Sequence, residues 1–182
     1  MNKAVFLDKD GTINEDLGYI SHYRDLKLLP HSAAAIKLLN DAGYKVIVIS
    51  NQSGVARGMF GEDMLQAINK TLQKHLLSKG AFVDDIYYCP HHSEHGEYPY
   101  RRECDCRKPG IGLFKKAAKR HDIDLAKSFM IGDHARDIEA GHKAGTKSIL
   151  VLTGHEIEKD CKDKPEHVAK DLLEAVKWIL KK

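Results

Sequence analysis

The chain has 182 residues, 42% of them hydrophobic, which suffices for one packed core and excludes a disordered polypeptide. Its formal net charge of +3 comes from interspersed acids and bases, so no basic track calls for nucleic acid or an anionic membrane. No run approaches the ~20 apolar residues of a membrane span, and the N-terminus leads into charged residues instead of a signal peptide, so a cytoplasmic location is expected.

The first apolar run, residues 5–7, leads into Asp8-Lys9-Asp10-Gly11-Thr12. Asp8 takes the last position of a buried strand, Asp10 lies two residues on, and Gly11 permits a sharp turn that brings backbone N–H groups toward an anion. Two carboxylates this close repel unless a cation lies between them or one is protonated, which points to a hard metal such as Mg2+. Turns rich in Asp and Gly also arise for purely structural reasons, so this run needs company.

Further strands are expected at 46–49, 86–88, 129–131 and 149–152, where Val, Ile and Tyr cluster. Helical periodicity fills 32–42 with Gly43 as stop, 62–79 with Gly80 as stop, 113–121, and 137–144 followed by Gly145. After Pro165 one stripe of Val168, Leu172, Leu173, Val176, Ile179 and Leu180 reads as a final helix packed on the core. Strand-helix alternation with short links predicts a doubly wound parallel α/β sheet, whose ligands bind beyond the carboxyl ends of the strands. No repeat, low-complexity segment or linker divides the chain, so one domain over residues 1–182 is expected. Residues 89–110 form its irregular stretch. The two N-x-S/T matches, at Asn51 and Asn69, lack the secretory route that glycosylation requires.

Polar residues gather at the strand ends. The second strand ends in Ser50-Asn51-Gln52-Ser53-Gly54, the irregular stretch leads into Arg107-Lys108-Pro109-Gly110, and the fourth strand ends in Gly132-Asp133, with Asp137 four residues on. Each has an ordinary alternative, such as a helix cap for Asp133 or Asp137. Together they suit phosphoryl transfer, in which one carboxylate attacks phosphorus, a second protonates the departing oxygen, a third holds the metal, and a hydroxyl and an ammonium steady the equatorial oxygens.

These four segments resemble the motifs of the haloacid dehalogenase-like hydrolase superfamily. The runs 51–58, 89–92 and 104–109 further resemble the D-glycero-D-manno-heptose 1,7-bisphosphate 7-phosphatase family. The resemblance implies a Rossmann-like domain without a large cap and a phosphorylated sugar as substrate. It assigns Asp8 as the nucleophile that forms an aspartyl-phosphate and Asp10 as acid and then base. Mg2+ would lie on the Asp8 carboxylate, the Asp10 backbone carbonyl and Asp133. Ser50 and Lys108 would hold the transferring phosphoryl group, with Asp137 orienting Lys108. Arg107 would recognise the rest of the substrate, aided by Asp16, Leu17, Gly18, Tyr19, Asn51, Gln52, Ser53 and His134.

Three of the four cysteines lie in the irregular stretch, as Cys89-x-His91 and Cys104-x-Cys106. In a reducing compartment such thiols beside histidine read as a tetrahedral Zn2+ site rather than a disulfide. The resemblance assigns Cys89, His91, Cys104 and Cys106 as ligands, although spacing alone leaves His92 and, more weakly, His95 as competitors for His91. Four protein ligands leave no open position, so the zinc would be structural, holding Arg107 and Lys108 in place. Cys161, in a charged stretch, has no role in this scheme.

No segment is long enough for a separate cap, so selectivity is expected from the loops 16–24, 54–61 and 89–110. Histidinol-phosphate phosphatase is the alternative enzyme, since its members resemble the chain in the motifs and the zinc cysteines. From another class comes a non-catalytic zinc-bearing interaction module, against which the full acid and lysine set argues. A nucleic-acid end-processing phosphatase would want a basic track. No P-loop or dinucleotide fingerprint is found. A monomer is the default, because no hydrophobic stripe is left over.

Overall fold

The computed structural model describes residues 1–154 and 163–182, so Cys161 lies outside the described residues. Six strands, β1 (Ala4–Leu7), β2 (Lys45–Asn51), β3 (Asp85–Cys89), β4 (Phe129–Gly132), β5 (Lys147–Val151) and β6 (His167–Ala169), form one sheet. Five helices accompany it: α1 (Ser32–Asp41), α2 (Glu62–Leu77), α3 (Gly112–His121), α4 (Ala135–Ala144) and α5 (Leu172–Ile179). The strand order is β3-β2-β1-β4-β5-β6 and every neighbouring pair is parallel. The doubly wound sheet expected from the alternating elements is therefore present.

Side-chain alternation builds a core on each face of the sheet. Val5, Leu7, Val46, Val48, Phe129 and Ile131 join one cluster with Ile36 and Leu39 of α1, Ile68 and Leu72 of α2, and Val176 and Ile179 of α5. Ala4, Phe6, Ile47, Ile49 and Met130 point the other way, onto Phe114 and Ala117 of α3 and Ala140 of α4. The rings of Phe6 and Phe114 meet there at 4.9 Å. Both faces of β1 are covered, which explains why its sequence is a continuous apolar run.

The sequence expectation fails at the C-terminal end. Residues 167–169 form an edge strand instead of the start of a helix, with Leu150 opposite Val168 and Val151 opposite Ala169. Only Ala169 turns inward, whereas Val168 is 49% exposed. Helix α5 begins at Leu172, after Asp171, whose Oδ1 accepts the Glu174 N–H at 2.8 Å, and Leu180 lies just beyond its last residue. An edge strand of three residues is too short for its period to compete with the helical stripe behind it. Smaller differences are the start of α4 at Ala135 and the end of α2 at Leu77.

Chain order reverses direction at β1, with β2 on one side and β4 on the other. This is the switch point, where the crevice beyond the carboxyl ends opens. The Asp8 N–H donates to Ile131 O at 2.9 Å, so the bond ladder between β1 and β4 reaches the first acid of the site. The connection from β1 to α1 carries only a short 3-10 turn, Tyr23–Asp25, so no cap-sized insertion lies there. Among the described residues no helix is long and apolar enough to cross a membrane.

Candidate active site

Asp8 at the end of β1 and Asp133 after β4 stand side by side at the switch point, both at least nine-tenths buried. Gly11 has a φ of +81°, a conformation that costs glycine little, and a Cβ there would collide with the Asp133 carboxylate. The turn after β1 thus lies directly on Asp133.

Lys108 lies at the centre of the buried charges, with almost no exposed surface. Its Nζ donates to Asp8 Oδ1 at 2.8 Å and to Ile49 O at 2.7 Å, and forms an ion pair with Asp137 Oδ1 at 2.7 Å. Burial alone would lower the ammonium pKa, but Asp137 and then Asp8 more than offset this and hold it above the ordinary lysine value. Burial likewise pushes the Asp8 carboxyl above the usual range, with Lys108 opposing and Asp137 reinforcing the rise. Asp137, in the first turn of α4, also accepts the His134 N–H through Oδ2 at 3.1 Å, tying Lys108 to a helix N-terminus.

Three donors fix Asp10. Asn14 Nδ2 reaches its Oδ1 at 2.8 Å, Lys9 Nζ stands 3.1 Å from the same oxygen, and Gln52 Nε2 reaches Oδ2 at 2.8 Å. Gln52 Nε2 also donates to Ser50 Oγ at 2.7 Å, which links the hydroxyl at the end of β2 to Asp10. Asn51 brackets the Lys108 backbone, its Oδ1 accepting the Lys108 N–H at 2.9 Å and its Nδ2 donating to Lys108 O at 3.1 Å. The side-chain bonds of Asn51 and Gln52 therefore go to Lys108, Asp10 and Ser50. Lys9 and Asn14 were not singled out in the sequence, and the only signal for them is their place beside Asp10.

Above these groups opens a cleft of about 280 Å3. Asp8, Asp10, Asp16, Gly18, Tyr19, Ser50, Asn51, Ser53, Arg107 and His134 line it, together with Arg57 and Arg136, which the sequence reading had not selected. Leu17 is 55% exposed and is not part of the lining. Neither is Gln52, which is buried on Asp10.

Asp8, Asp133, His134 and Asp137 each present a ligand-type atom within 4.8 Å of the others. Asp133 Oδ2 is buried and accepts no hydrogen bond, although His134 Nδ1 stands 2.9 Å away. The Asp133 contact raises the His134 pKa, opposed by burial. An anionic oxygen without a donor, beside a second carboxylate, fits a hard divalent cation.

The irregular stretch folds a second cluster. Cys106 Sγ is 3.1 Å from Cys89 Sγ and 3.3 Å from Cys104 Sγ, Cys89 and Cys104 are 3.5 Å apart, and His91 Nδ1 is 3.3 Å from Cys106 Sγ. A disulfide would need about 2.05 Å. A tetrahedron on Zn–S bonds of about 2.3 Å has S···S edges of about 3.8 Å, so small side-chain adjustments admit the ion. Burial pushes the Cys89 thiol pKa well up, a penalty that a metal relieves by binding the thiolate. Burial and the Arg102 charge lower the His91 pKa, which favours the neutral, ligating imidazole. His92 turns away instead, its Nε2 3.4 Å from Arg57 Nη2 and its Nδ1 accepting the Glu94 N–H. Of the competing histidines, His91 alone joins the thiols. Arg107 and Lys108 follow Cys106 directly, and Arg107 Nη1 donates back to His91 O at 3.3 Å.

A family model described as HAD-hydrolase-like matches residues 105–175. The D-glycero-beta-D-manno-heptose-1,7-bisphosphate 7-phosphatase of Haemophilus ducreyi is 41% identical over 179 residues, covering 97% of this chain and 98% of its own. The D-glycero-D-manno-heptose-1,7-bisphosphate 7-phosphatase of Thermosynechococcus vestitus is 42% identical over 185 residues, covering 97% and 94%. Among solved structures, a D,D-heptose 1,7-bisphosphate phosphatase from B. bronchiseptica, complexed with magnesium and phosphate, superimposes with a TM-score of 0.86 at 34% identity over 98% of both chains. With relatives of this identity spanning nearly its whole length, the chain belongs to the D-glycero-D-manno-heptose-1,7-bisphosphate 7-phosphatase family of haloacid dehalogenase-like phosphatases.

Proposed function

We propose that the protein removes the 7-phosphate of D-glycero-β-D-manno-heptose 1,7-bisphosphate. The observation that carries this reading is the Lys108 ammonium between Asp8 and Asp137, beneath a cleft that also holds Asp10 and Ser50. The β-anomer follows the names of relatives such as that of Haemophilus ducreyi.

In the proposed mechanism an Asp8 oxygen bonds to phosphorus as the bond to the sugar oxygen breaks, and Asp10 gives that oxygen a proton. Asp10 then takes a proton from the water that hydrolyses the aspartyl-phosphate, which regenerates both acids. Asn14, Gln52 and Lys9 keep the Asp10 carboxyl aimed through both steps. Ser50 and Lys108 steady the phosphoryl oxygens. Lys108 can turn to them as the Asp8 carboxylate loses its charge on becoming phosphorylated. Asp8, Asp133 and the Asp10 carbonyl would hold Mg2+, which supplies charge neutralisation between carboxylate and phosphate. Cys89, His91, Cys104 and Cys106 would hold a structural Zn2+ that fixes the segment carrying Arg107 and Lys108. Asp16, Tyr19, Ser53, Arg107 and His134, which line the cleft, would contact the sugar. The enzyme so proposed is one domain over residues 1–182, monomeric and cytoplasmic, in a compartment that keeps its thiols reduced.

The test is phosphate release with Mg2+ from both heptose anomers and from histidinol phosphate, compared by kcat/KM. A preference of about tenfold or more for the β-anomer, worth about 1.4 kcal/mol at the transition state, supports the reading. A preference for histidinol phosphate refutes it.

A further inference from the structure

We propose that Thr153 and Gly154, which follow β5, are positioning residues for the divalent cation: they hold the Asp133 carboxylate in the direction in which it meets Mg2+. The inference rests on the metal site of the phosphatase reading above and gives a task to a segment that lies outside the four strand-end motifs.

The strand order sets up the arrangement. β4 lies between β1 and β5, so the turns that leave those two strands meet over the end of β4, where Asp133 emerges. Thr153 closes the meeting: its Oγ1 donates to Gly11 O at 2.6 Å, a bond between residues 142 positions apart. The sheet itself brings Thr153 there, because the Leu152 N–H donates to Ala169 O at 3.0 Å and extends the pairing of β5 with β6. The short edge strand, two strands away from β4, is thereby connected to the metal site.

Asp133 depends on such a wall. Among the described residues its carboxylate accepts one hydrogen bond, a long one from Thr12 Oγ1 to Oδ1 at 3.4 Å, and Oδ2 has the His134 Nδ1 contact at 2.9 Å. So few donors do not fix a carboxylate, whose last torsion is broad. Packing fixes it instead. Gly11 presses on the carboxylate from one segment and Gly154 from the other: a Cβ on Gly154 would overlap Asp133 Oδ2 and crowd its Cγ and Cβ, and one on Gly11 would stand 3.2 Å from the Gly154 Cα. The φ of Gly154 is not positive, so glycine is required there for space and not for backbone freedom.

Mg2+ demands near-octahedral oxygens at about 2.0–2.1 Å, so a carboxylate turned out of line loses most of its value as a ligand. Two backbone segments pressed on Asp133 remove rotations that would otherwise be lost on binding, and they leave Oδ2, which accepts no hydrogen bond, for the cation. The Thr153 hydroxyl keeps the two segments together. Valine in its place has the same shape without the donor.

The experiment follows the melting temperature of the protein, freed of Mg2+ by gel filtration, as MgCl2 is added, which yields an apparent Kd independent of turnover. It compares the wild type with Thr153→Val, Thr153→Ser, Gly154→Ala and Asp133→Asn. The expected result is a wild-type rise that Asp133→Asn removes, and a Kd weakened about tenfold or more in Thr153→Val and Gly154→Ala, as when the support behind a metal ligand is taken away. Thr153→Ser keeps the hydroxyl and should restore most of the affinity, which a role in packing alone would not produce. An Mg2+ affinity unchanged in Thr153→Val and Gly154→Ala, or equal losses in Thr153→Ser and Thr153→Val, overturns the inference. If Gly154→Ala does not fold, the two Thr153 variants decide alone. If the wild type shows no rise, or Asp133→Asn keeps all of it, the metal site of the phosphatase reading fails and this inference fails with it. A rise that Asp133→Asn removes and the other variants leave unchanged overturns this inference alone.

Discussion

Asp137→Asn isolates the contribution of the carboxylate behind Lys108. The side chain is fully buried, with one oxygen 2.7 Å from Lys108 Nζ and the other accepting the His134 N–H. Asparagine has the same shape but one acceptor oxygen, so either Lys108 or the His134 N–H must face an amide donor. Removing one partner of a buried ion pair costs about 3–5 kcal/mol. Lys108 keeps Asp8 and Ile49 O, which places the loss near the lower end, about 3 kcal/mol. At about 2–4 °C per kcal/mol for a chain of this size, the melting temperature should fall by about 6–12 °C. The melt is followed by circular dichroism with Mg2+ present, because Asp137 also repels Asp8 and the cation suppresses that opposing gain. Displacing Lys108 should also lower kcat/KM about 100-fold on p-nitrophenyl phosphate. A melting temperature within 1 °C of wild type and activity within twofold (~0.4 kcal/mol) would refute the argument that Asp137 holds Lys108.

Asp8→Asn should retain phosphate-ester binding by calorimetry yet lose turnover, and wild-type turnover in a metal-replete assay rules Asp8 out as nucleophile. Cys106→Ala should lower zinc content by plasma emission spectroscopy and most of the activity while sparing the circular dichroism spectrum; undiminished turnover without zinc defeats the proposed role of the cluster. The Asp8 carboxyl has its pKa raised by burial, so its ionised form destabilises the metal-free fold: stability is full below the unfolded carboxylate pKa and declines as pH rises through the folded value. Mg2+ competes with that proton, so its apparent affinity should strengthen as pH rises through the same range, and titrations that show no pH dependence contradict this linkage.

Local patterns made much of the chain legible. β1 reads as a strand because both its faces are buried, and the acids that follow it are placed by chain connectivity alone. The cysteines were equally readable, since their chemistry in a reducing compartment leaves few alternatives. His91 and His92 are neighbours in sequence, and only the backbone path, which turns one inward and the other onto Arg57, separates them. Strand β6 was missed because an edge strand buries one side and three residues carry almost no period.

By itself the sequence determined the alternation of strands and helices, the acids at the strand ends and the thiol-rich loop, because each depends on residues near one another in the chain. Tertiary structure alone decided that Gln52 binds Asp10, that Asn51 clasps Lys108, and that Arg57, Arg107 and Arg136 line one cleft. Those side chains come from segments up to 79 residues apart, and no local propensity encodes such a meeting. It follows from the order in which the sheet assembles its strands, which brings the loops after β1, β2 and β4 and the segment before α3 to the same end of the sheet.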